Sequence, residues 1–336
     1  MKQFISTVAA LLLATTLTHA HEEAHQKIHA IDHAPIGVMG DHRHKAGEWM
    51  IGLRYMQHTM NDLSNANGSI SSEEAALSGQ RMTPLRMEGQ MAMIGAMYAP
   101  SDRVTLMAGT KYLDKSMTTA TYQGMMGSSL LGENTVETEG FGDVKLSALI
   151  GLHEQYGHRF HANLSLSLPT GSITEQDVVL MPTGMVQPRR LGYGMQLGSG
   201  TYDVTTGLTY VGMDLPVSVG AQYLATWRLG RNDQGYSLGD LHQATTWVAY
   251  QPVCWVSGSV RLAYQHLAAI DGRDDQIMAN PENSGRERLD IGFGLNFAGF
   301  DRHRIAVEFL QPIAESVQGT QLTTDSQLVV GYQVSF

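Results

Sequence analysis

The amino-acid sequence predicts an all-β fold, a 12-stranded antiparallel transmembrane β-barrel of the outer-membrane type. Apolar and polar residues alternate with period two in many segments, the number of such segments is even, and short connections alternate with long ones. Outer-membrane barrels combine these properties, with tight turns on one side of the membrane and longer loops on the other. A soluble sandwich also alternates, but it has no reason to sort its connections by length.

The alternation is clearest in DSQLVVGYQVSF, residues 325–336. Every second residue from Leu328 to Phe336 is apolar, and such residues share one face of a strand. An apolar residue at every second position before a terminal phenylalanine resembles the assembly signal of outer-membrane barrels. The signal residues are Tyr332, Val334 and Phe336, and they predict the barrel-assembly machinery as a partner.

The same reading places twelve strands near residues 48–59, 87–98, 102–115, 140–152, 159–168, 200–212, 216–228, 239–251, 254–267, 287–298, 303–313 and 326–336. Tight turns such as APSD and MDLP follow every second strand. The other connections are longer and rich in Gly, Ser, Thr, Asn and Asp. A sheet in lipid must close, because lipid offers no hydrogen-bond partner to a strand edge. The even strand number puts both chain ends on the turn side, which is periplasmic in such barrels.

The first residues predict export. MKQFISTVAALLLATTLTHA begins with Lys2, continues with an apolar run and ends at Ala20, which is typical of a secretory signal peptide at 1–20. We expect a His-rich periplasmic segment or plug at 21–47 and the barrel at 48–336. A single cysteine, Cys254, excludes an internal disulfide.

Composition and motifs exclude other classes. Charged residues are only 16% of the chain and form no basic stripe, so no nucleic-acid partner is expected. The chain contains no P-loop, dinucleotide-binding or Gly-x-Ser-x-Gly motif, which predicts a protein that is not an enzyme. An outer-membrane barrel lipase is the remaining enzymatic alternative, through His161 with Ser165 and Ser167 or His242 with Ser237.

Four segments resemble a known family, the outer-membrane proteins of the "MetA-pathway of phenol degradation" family. They are APIGVMGDHRHKAGEWMIGLRYM at 34–56, EGFGDVKL at 139–146, QLGSGTYDVTTGLTY at 196–210 and the closing GYQVSF. The resemblance extends over almost the whole mature chain. It implies an outer-membrane barrel that carries small molecules across the membrane.

Charged residues on the polar face of the predicted strands define a candidate lumen, because a charge facing lipid at the midplane costs about 2–4 kcal/mol. They either pair with one another to make the barrel rigid or select polar and anionic solutes. The predicted lumen-lining residues are Arg54, Arg103, Lys111, Asp143, Lys145, Asp203, Arg228, Arg261, Arg288, Asp290 and Glu308.

Histidine and methionine are enriched in places where soft or borderline metals could bind. His29, His33, His42 and His44 lie before the first strand, and imidazole is a good ligand for Cu and Zn. The alternative is that these histidines belong to a solvated periplasmic tail and have no assigned function. Met91, Met93 and Met97 share one face of the second strand, where they form either a thioether strip or an adaptable apolar lining.

The sequence therefore predicts a porin-like channel or transporter in the outer membrane of a Gram-negative bacterium, for passive passage of small solutes, including hydrophobic or aromatic compounds. No cofactor is expected, apart from a Cu or Zn ion in the alternative where the histidines make the protein metal-handling. The expected surroundings are outer-membrane lipid and a small-molecule solute.

Overall fold

The computed structural model describes residues 29–66, 68–124, 129–300 and 302–336. The predicted signal peptide at 1–20 and the histidines His21 and His25 lie outside the described residues. No described helix is long and apolar enough to cross a membrane.

Twelve strands form the wall of one closed barrel, as predicted. Each pairs antiparallel with its neighbour along the chain, and the last pairs with the first from Met50 opposite Ser335 to Ser64 opposite Gln321. The strands are β1 Trp49–Asn65, β2 Met82–Ser101, β3 Val104–Tyr122, β4 Val144–Gln155, β5 His158–Leu168, β6 Tyr202–Asp214, β7 Val217–Leu229, β8 Leu241–Val253, β9 Val256–Leu267, β10 Arg286–Phe300, β11 His303–Val317 and β12 Gln321–Ser335.

The two ends of the barrel differ in their connections. At one end, which we call the turn end, two residues join each hairpin, as at Tyr156 and Gly157, whose positive φ angles of 50° and 80° suit a tight turn. At the other, the loop end, most connections are long. The predicted order of short and long connections is confirmed except between β11 and β12, where three residues, 318–320, replace the predicted long connection 314–325.

Several strands extend further at the loop end than the alternation predicts. β1 continues to Asn65 instead of residue 59, and β12 begins at Gln321 instead of residue 326. Leu63 and Leu322 are still paired there. Hydrogen bonding between neighbours continues beyond the level where one face is apolar, so the period-two signal ends before the strand does.

The predicted loop at 116–139 contains a further strand, Leu130–Phe141, which pairs with the upper half of β3 in line with β4. The two collinear strands are separated at Gly142 and Asp143. The Asp143 carboxylate accepts hydrogen bonds from the backbone N–H groups of Gly171 and Ser199, both at 2.9 Å. This carboxylate therefore anchors the loop of residues 169–201 to the wall.

The loop end is covered by short elements that pack on each other. They are helix α1 Ser72–Leu77, the hairpin of Gln176–Leu180 with Val186–Arg190, the 3-10 turn Tyr193–Met195, and the pair Tyr236–Ser237 and Asp271–Gly272. Tyr193 and Tyr236 are in edge contact at 4.8 Å, and Arg190 pairs with Asp274 at 2.6 Å. Three loops are thereby joined above the barrel.

Side-chain exposure follows the predicted alternation. On β10, Phe293 is 55% exposed and Leu295 45%, whereas Asn296 between Leu295 and Phe297 is only 1% exposed. Trp49 stacks on Tyr98 at the turn end, with ring centroids 4.4 Å apart, as expected of an interfacial aromatic girdle. The outer face is thus an apolar band, and the polar side chains lie inside.

Candidate functional site

Residues 29–48, which we call the amino-terminal segment, run through the barrel interior from residue 30 to residue 44, and residues 45–47 are exposed at the turn end. The segment begins at the turn end, where Ala30 N–H donates to Cys254 O at 3.0 Å and Ile31 N–H to the side-chain oxygen of Gln251 at 3.0 Å. Ser257 Oγ donates to Ala30 O, also at 3.0 Å. The chain therefore enters the lumen beside β8 and β9.

The middle of the segment crosses the lumen on hydrogen bonds from opposite sides of the wall. Gly37 N–H donates to the Glu308 carboxylate of β11 at 2.7 Å, and Gln222 Nε2 of β7 donates to Met39 O at 2.8 Å. His161 Nε2 of β5 lies 2.8 Å from Gly40 O. Buried backbone groups need partners, and inward side chains supply them here.

The segment returns to the wall at β3 before β1 begins. His44 N–H donates to Thr105 Oγ1 at 3.0 Å, and Gly47 N–H donates to Ala99 O at 2.8 Å. The segment therefore spans the lumen from β8 to β3.

Apolar contacts support these hydrogen bonds. Ala34 and Val38 pack against Trp247, which faces inward from β8 and is only 2% exposed. Ile36 packs against Val329 and its neighbours on the opposite side. An inward tryptophan is unusual in a polar lumen, and here the segment covers its apolar surface.

Glu308 connects the segment to the wall electrostatically. Its two carboxylate oxygens accept from Arg261 Nε at 2.6 Å and Nη2 at 3.2 Å, and Glu308 is fully buried. The same carboxylate accepts the Gly37 N–H. A Cβ at Gly37 would clash with both charged side chains, so only glycine allows this close approach.

A cavity of about 610 Å³ lies between the segment and the rest of the wall. Of the predicted lumen-lining residues, Arg54, Lys111, Asp143, Lys145, Asp203, Arg228, Arg261, Arg288 and Asp290 line this cavity. Glu308 is buried against the segment instead. Arg103 departs from the prediction, because β3 begins only at Val104 and Arg103 lies in the exposed turn before it.

The charged lining divides into paired and unpaired groups. Arg228 pairs with Asp203, and Arg288 Nε donates to Asp290 at 3.0 Å. Lys111 and Lys145 have no ion-pair partner in the described part of the chain. Both structural pairing and a free cationic surface are therefore present.

Methionines line the same cavity beside the unpaired lysines. Met50, Met91, Met93, Met97 and Met107 from β1, β2 and β3 all contribute, and Met93 lies directly opposite Lys111 in the β2–β3 register. Paired residues face the same side of a sheet, so an apolar thioether and an ammonium group are neighbours. The cavity is amphipathic.

Three of the four predicted metal-binding histidines come together within the segment. The rings of His33 and His42 lie 4.4 Å apart and those of His42 and His44 5.0 Å apart. His29 lies elsewhere, with its Nδ1 3.2 Å from Gln251 Nε2. Burial lowers the pKa of His33 well below its ordinary value and that of His44 to about 4, so both are neutral at pH 7.

The histidines of the lipase alternative have other partners. His161 Nε2 contacts Gly40 O, and His242 Nδ1 lies 2.8 Å from the Tyr223 hydroxyl. A serine nucleophile would need such a histidine within hydrogen-bond reach. The described residues therefore contain no assembled pair at either predicted position.

Arg304, Trp247 and Gln222 hold the segment, and the sequence reading did not single them out. Arg304 Nη2 donates to Ala34 O at 2.6 Å and to the Asn296 side chain at 2.7 Å. Arg304 lies four residues before Glu308, on the same face of β11, so the period-two rule that selected Glu308 also selects it. Gln222 lies six residues before Arg228 on the same face of β7, so the same rule selects it too, whereas Trp247 carries no comparable sequence signal.

Comparison with known proteins supports the fold. No family model matches the chain, and no curated protein matches it. A solved structure, the COG4313 outer membrane channel from Pseudomonas putida F1, has a TM-score of 0.60 at 15% identity over 88% of this chain and 98% of that one. This likeness shows the barrel fold.

Two further solved structures have TM-scores below 0.5. The NanC porin has a TM-score of 0.45 at 7% identity, covering 84% of this chain and 98% of that one. The toluene transporter TodX of P. putida has a TM-score of 0.43 at 11% identity, covering 86% and 90%.

We predict that Glu308→Gln lowers the free energy of unfolding by about 3–5 kcal/mol, because it leaves Arg261 buried without a counter-charge. Replacing both partners, as Arg261→Met with Glu308→Leu, should recover much of the lost free energy of unfolding. Urea unfolding of the barrel in lipid vesicles measures this free energy for each variant. Glu287→Gln, which breaks the exposed pair with His266, is the matched control and should have little effect. Equal effects of Glu308→Gln and Glu287→Gln would contradict the prediction.

Proposed function

We propose that this protein is a passive channel for small solutes in the outer membrane. The observation that carries the proposal is the amphipathic cavity of about 610 Å³ inside a closed barrel with an apolar outer band. Cavities of roughly 300–1,000 Å³ accommodate small organic molecules. The structure with the TM-score of 0.60 is described as an outer membrane channel, which supports the proposal.

The orientation follows from the connections. Outer-membrane barrels keep short turns in the periplasm and long loops outside, so the turn end and both chain ends are proposed to be periplasmic. The carboxy-terminal strand, ending in Phe336, would be the part that the barrel-assembly machinery recognises. The resemblance to the MetA-pathway family is consistent with this placement, and membership of that family is part of the proposal.

Passage through the barrel needs no chemistry. The sequence has no nucleotide-binding motif to supply energy, and the candidate catalytic histidines are engaged elsewhere. We therefore propose transport down a gradient, by a protein that is not an enzyme.

The lining favours small organic anions with an apolar or aromatic part. Lys111 and Lys145 offer positive charge, while the aspartates are engaged: Asp203 and Asp290 by arginines and Asp143 by backbone N–H groups. The neighbouring methionines can contact an apolar body, because a thioether adapts to many shapes and interacts well with aromatic rings. A carboxylate on an aromatic or aliphatic body could contact the lysines and the methionines together.

The amino-terminal segment is proposed to narrow this route. Twelve strands leave room for a passage, since interior space grows with strand number, and the segment fills part of that room on the β7–β12 side. The remaining space is lined by residues of every strand of the wall, among them the methionines and lysines of β1 to β4.

We predict that removing residues 21–45 raises single-channel conductance several-fold in planar bilayers, because the amino-terminal segment then no longer occupies part of the lumen. Gly37→Val should raise conductance in part, since its side chain cannot fit against Arg261 and Glu308. Gly52→Ala is the matched control: a Cβ there would lie 3.6 Å from the nearest heavy atom, and conductance should not change. A deletion variant that conducts like the full chain would contradict the role of the segment.

We also predict that the channel prefers anions. In a KCl gradient the reversal potential should have the sign of chloride selectivity, and Lys111→Glu with Lys145→Glu should shift it toward potassium, because like-charged solutes are repelled from the lining. Arg231→Glu with Arg273→Glu makes the same change of charge in exposed loops and should shift the reversal potential much less. A reversal potential that the double variant leaves unchanged would show that these lysines do not set selectivity.

A further inference from the structure

A cluster of three imidazoles and one carboxylate lies within the amino-terminal segment, and the hydrogen bonding described above leaves it unexplained. His33, Asp41 and His42 each place one ligand-type atom within 4.8 Å of the others. His44 adds a third ring beside His42. The side chains of Asp41, His42 and His44 are only 7%, 9% and 6% exposed, so water has little access to them.

Each histidine of the cluster has a buried nitrogen without a hydrogen-bond partner. These atoms are His33 Nδ1, His42 Nε2 and His44 Nε2. A buried polar atom without a partner costs about 1–3 kcal/mol, and one such atom is uncommon. Three from adjacent rings within one short segment indicate a shared partner of another kind.

The other nitrogens of two rings are held by carboxylates. His42 Nδ1 lies 2.9 Å from Asp41 Oδ1, and His44 Nδ1 lies 3.4 Å from Glu48 Oε2. With a neutral ring donating through Nδ1, the lone pair is on Nε2, the atom without a partner. Histidines that bind metals show this arrangement, with a carboxylate orienting the ring from the far nitrogen.

One further contact fixes the position of Asp41. Its second oxygen, Oδ2, accepts from Ala34 N–H at 2.9 Å, which ties the two halves of the loop from residue 33 to residue 44 together. Asp41 thus stays beside His33 and His42 without any ion. The cluster is therefore built into the fold of the segment.

We propose that the three unpartnered nitrogens, His33 Nδ1, His42 Nε2 and His44 Nε2, bind one divalent transition-metal ion, such as Zn²⁺ or Cu²⁺, while Asp41 orients His42 from its far nitrogen. Imidazole nitrogens are the ligands that these ions take when thiolates are absent. The ring centroids lie 4.4 and 5.0 Å apart, so the rings close in by a small rotation when the ion binds.

All three ligands belong to the segment, so the ion would cross-link residue 33 to residues 42 and 44 and leave the wall untouched. It would hold the loop that carries Gly37 and Gly40 in the shape that fits the wall. The site therefore adds stiffness to the part of the molecule that fills the lumen. The inference does not depend on passage of a solute, and its test is separate from conductance.

The experiment is a titration of the purified, chelator-treated full chain with Zn²⁺, followed by equilibrium dialysis and metal analysis. We expect one tightly bound ion per chain. His33→Gln and His42→Asn each remove the unpartnered nitrogen but keep an amide in place of the other one, and each should abolish the tight site. Asp41→Asn should weaken binding by roughly ten- to a hundred-fold, because the carboxylate orients His42 from its far nitrogen.

His29→Ala is the matched control, because His29 belongs to the same segment but lies at Gln251, away from the cluster. It should bind one ion as the parent does. Unchanged gel mobility without heating shows that each variant remains folded. Co²⁺ provides a second readout, since visible absorption typical of a four-coordinate ion should appear in the parent and in His29→Ala but not in His42→Asn. The proposal would be overturned if the parent bound no ion tightly, or if His33→Gln or His42→Asn bound the ion as tightly as the parent.

Discussion

The carboxylate of Glu308 joins the barrel wall to the chain inside it, and much of the interior depends on it. It is fully buried, binds Arg261 through both oxygens and accepts the Gly37 N–H. Breaking such a pair on one side leaves a buried charge without compensation. The charged side chains of the wall must face away from lipid, and the backbone N–H and C=O groups of the segment need hydrogen-bond partners although the segment forms no sheet. The ion pair of Glu308 with Arg261 faces inward and also supplies one such partner.

The same reasoning explains the other inward polar residues. Arg304, Gln222 and Gln251 donate to or accept from backbone groups of the segment, much as neighbouring strands do for one another. The segment has almost no regular structure beyond the 3-10 turn at Ala30–Asp32. Side chains of the wall therefore replace secondary structure as its hydrogen-bond partners, which fixes one path through the lumen.

The fold was predictable from the sequence because the lipid imposes a simple rule on every strand. Alternate residues of β10 and β12 face lipid or lumen without exception over several positions, and the turns after every second strand are short. Strand ends at the loop end were less predictable, since both faces are wet there and the alternation disappears. The strand Leu130–Phe141 was missed for that reason: Glu133, Glu137 and Glu139 read as loop residues.

The interior was only partly predictable. The charged residues of the inward face could be selected by parity, but parity does not show which arginine pairs with which carboxylate. That Arg228 has an ion-pair partner while Lys111 and Lys145 have none in the described part of the chain is visible only in the structure. The crossing path of the segment depends on Trp247 and on glycine at residue 37, which have no pattern along the sequence. The histidine cluster was visible as composition, while the separation of His29 from the other three required the fold.

The central claim is that the amino-terminal segment lies inside the barrel, and a disulfide tests it most directly. A Cβ on Gly331 of β12 would lie 2.6 Å from Ile36 Cγ1, so cysteines at both positions would meet at disulfide distance. In a Cys254→Ser background, mild oxidation should protect both thiols of Ile36→Cys with Gly331→Cys from maleimide until a reductant is added. Ile36→Cys with Val330→Cys, whose second thiol faces outward, should remain reactive. Equal reactivity of the two pairs would contradict the account.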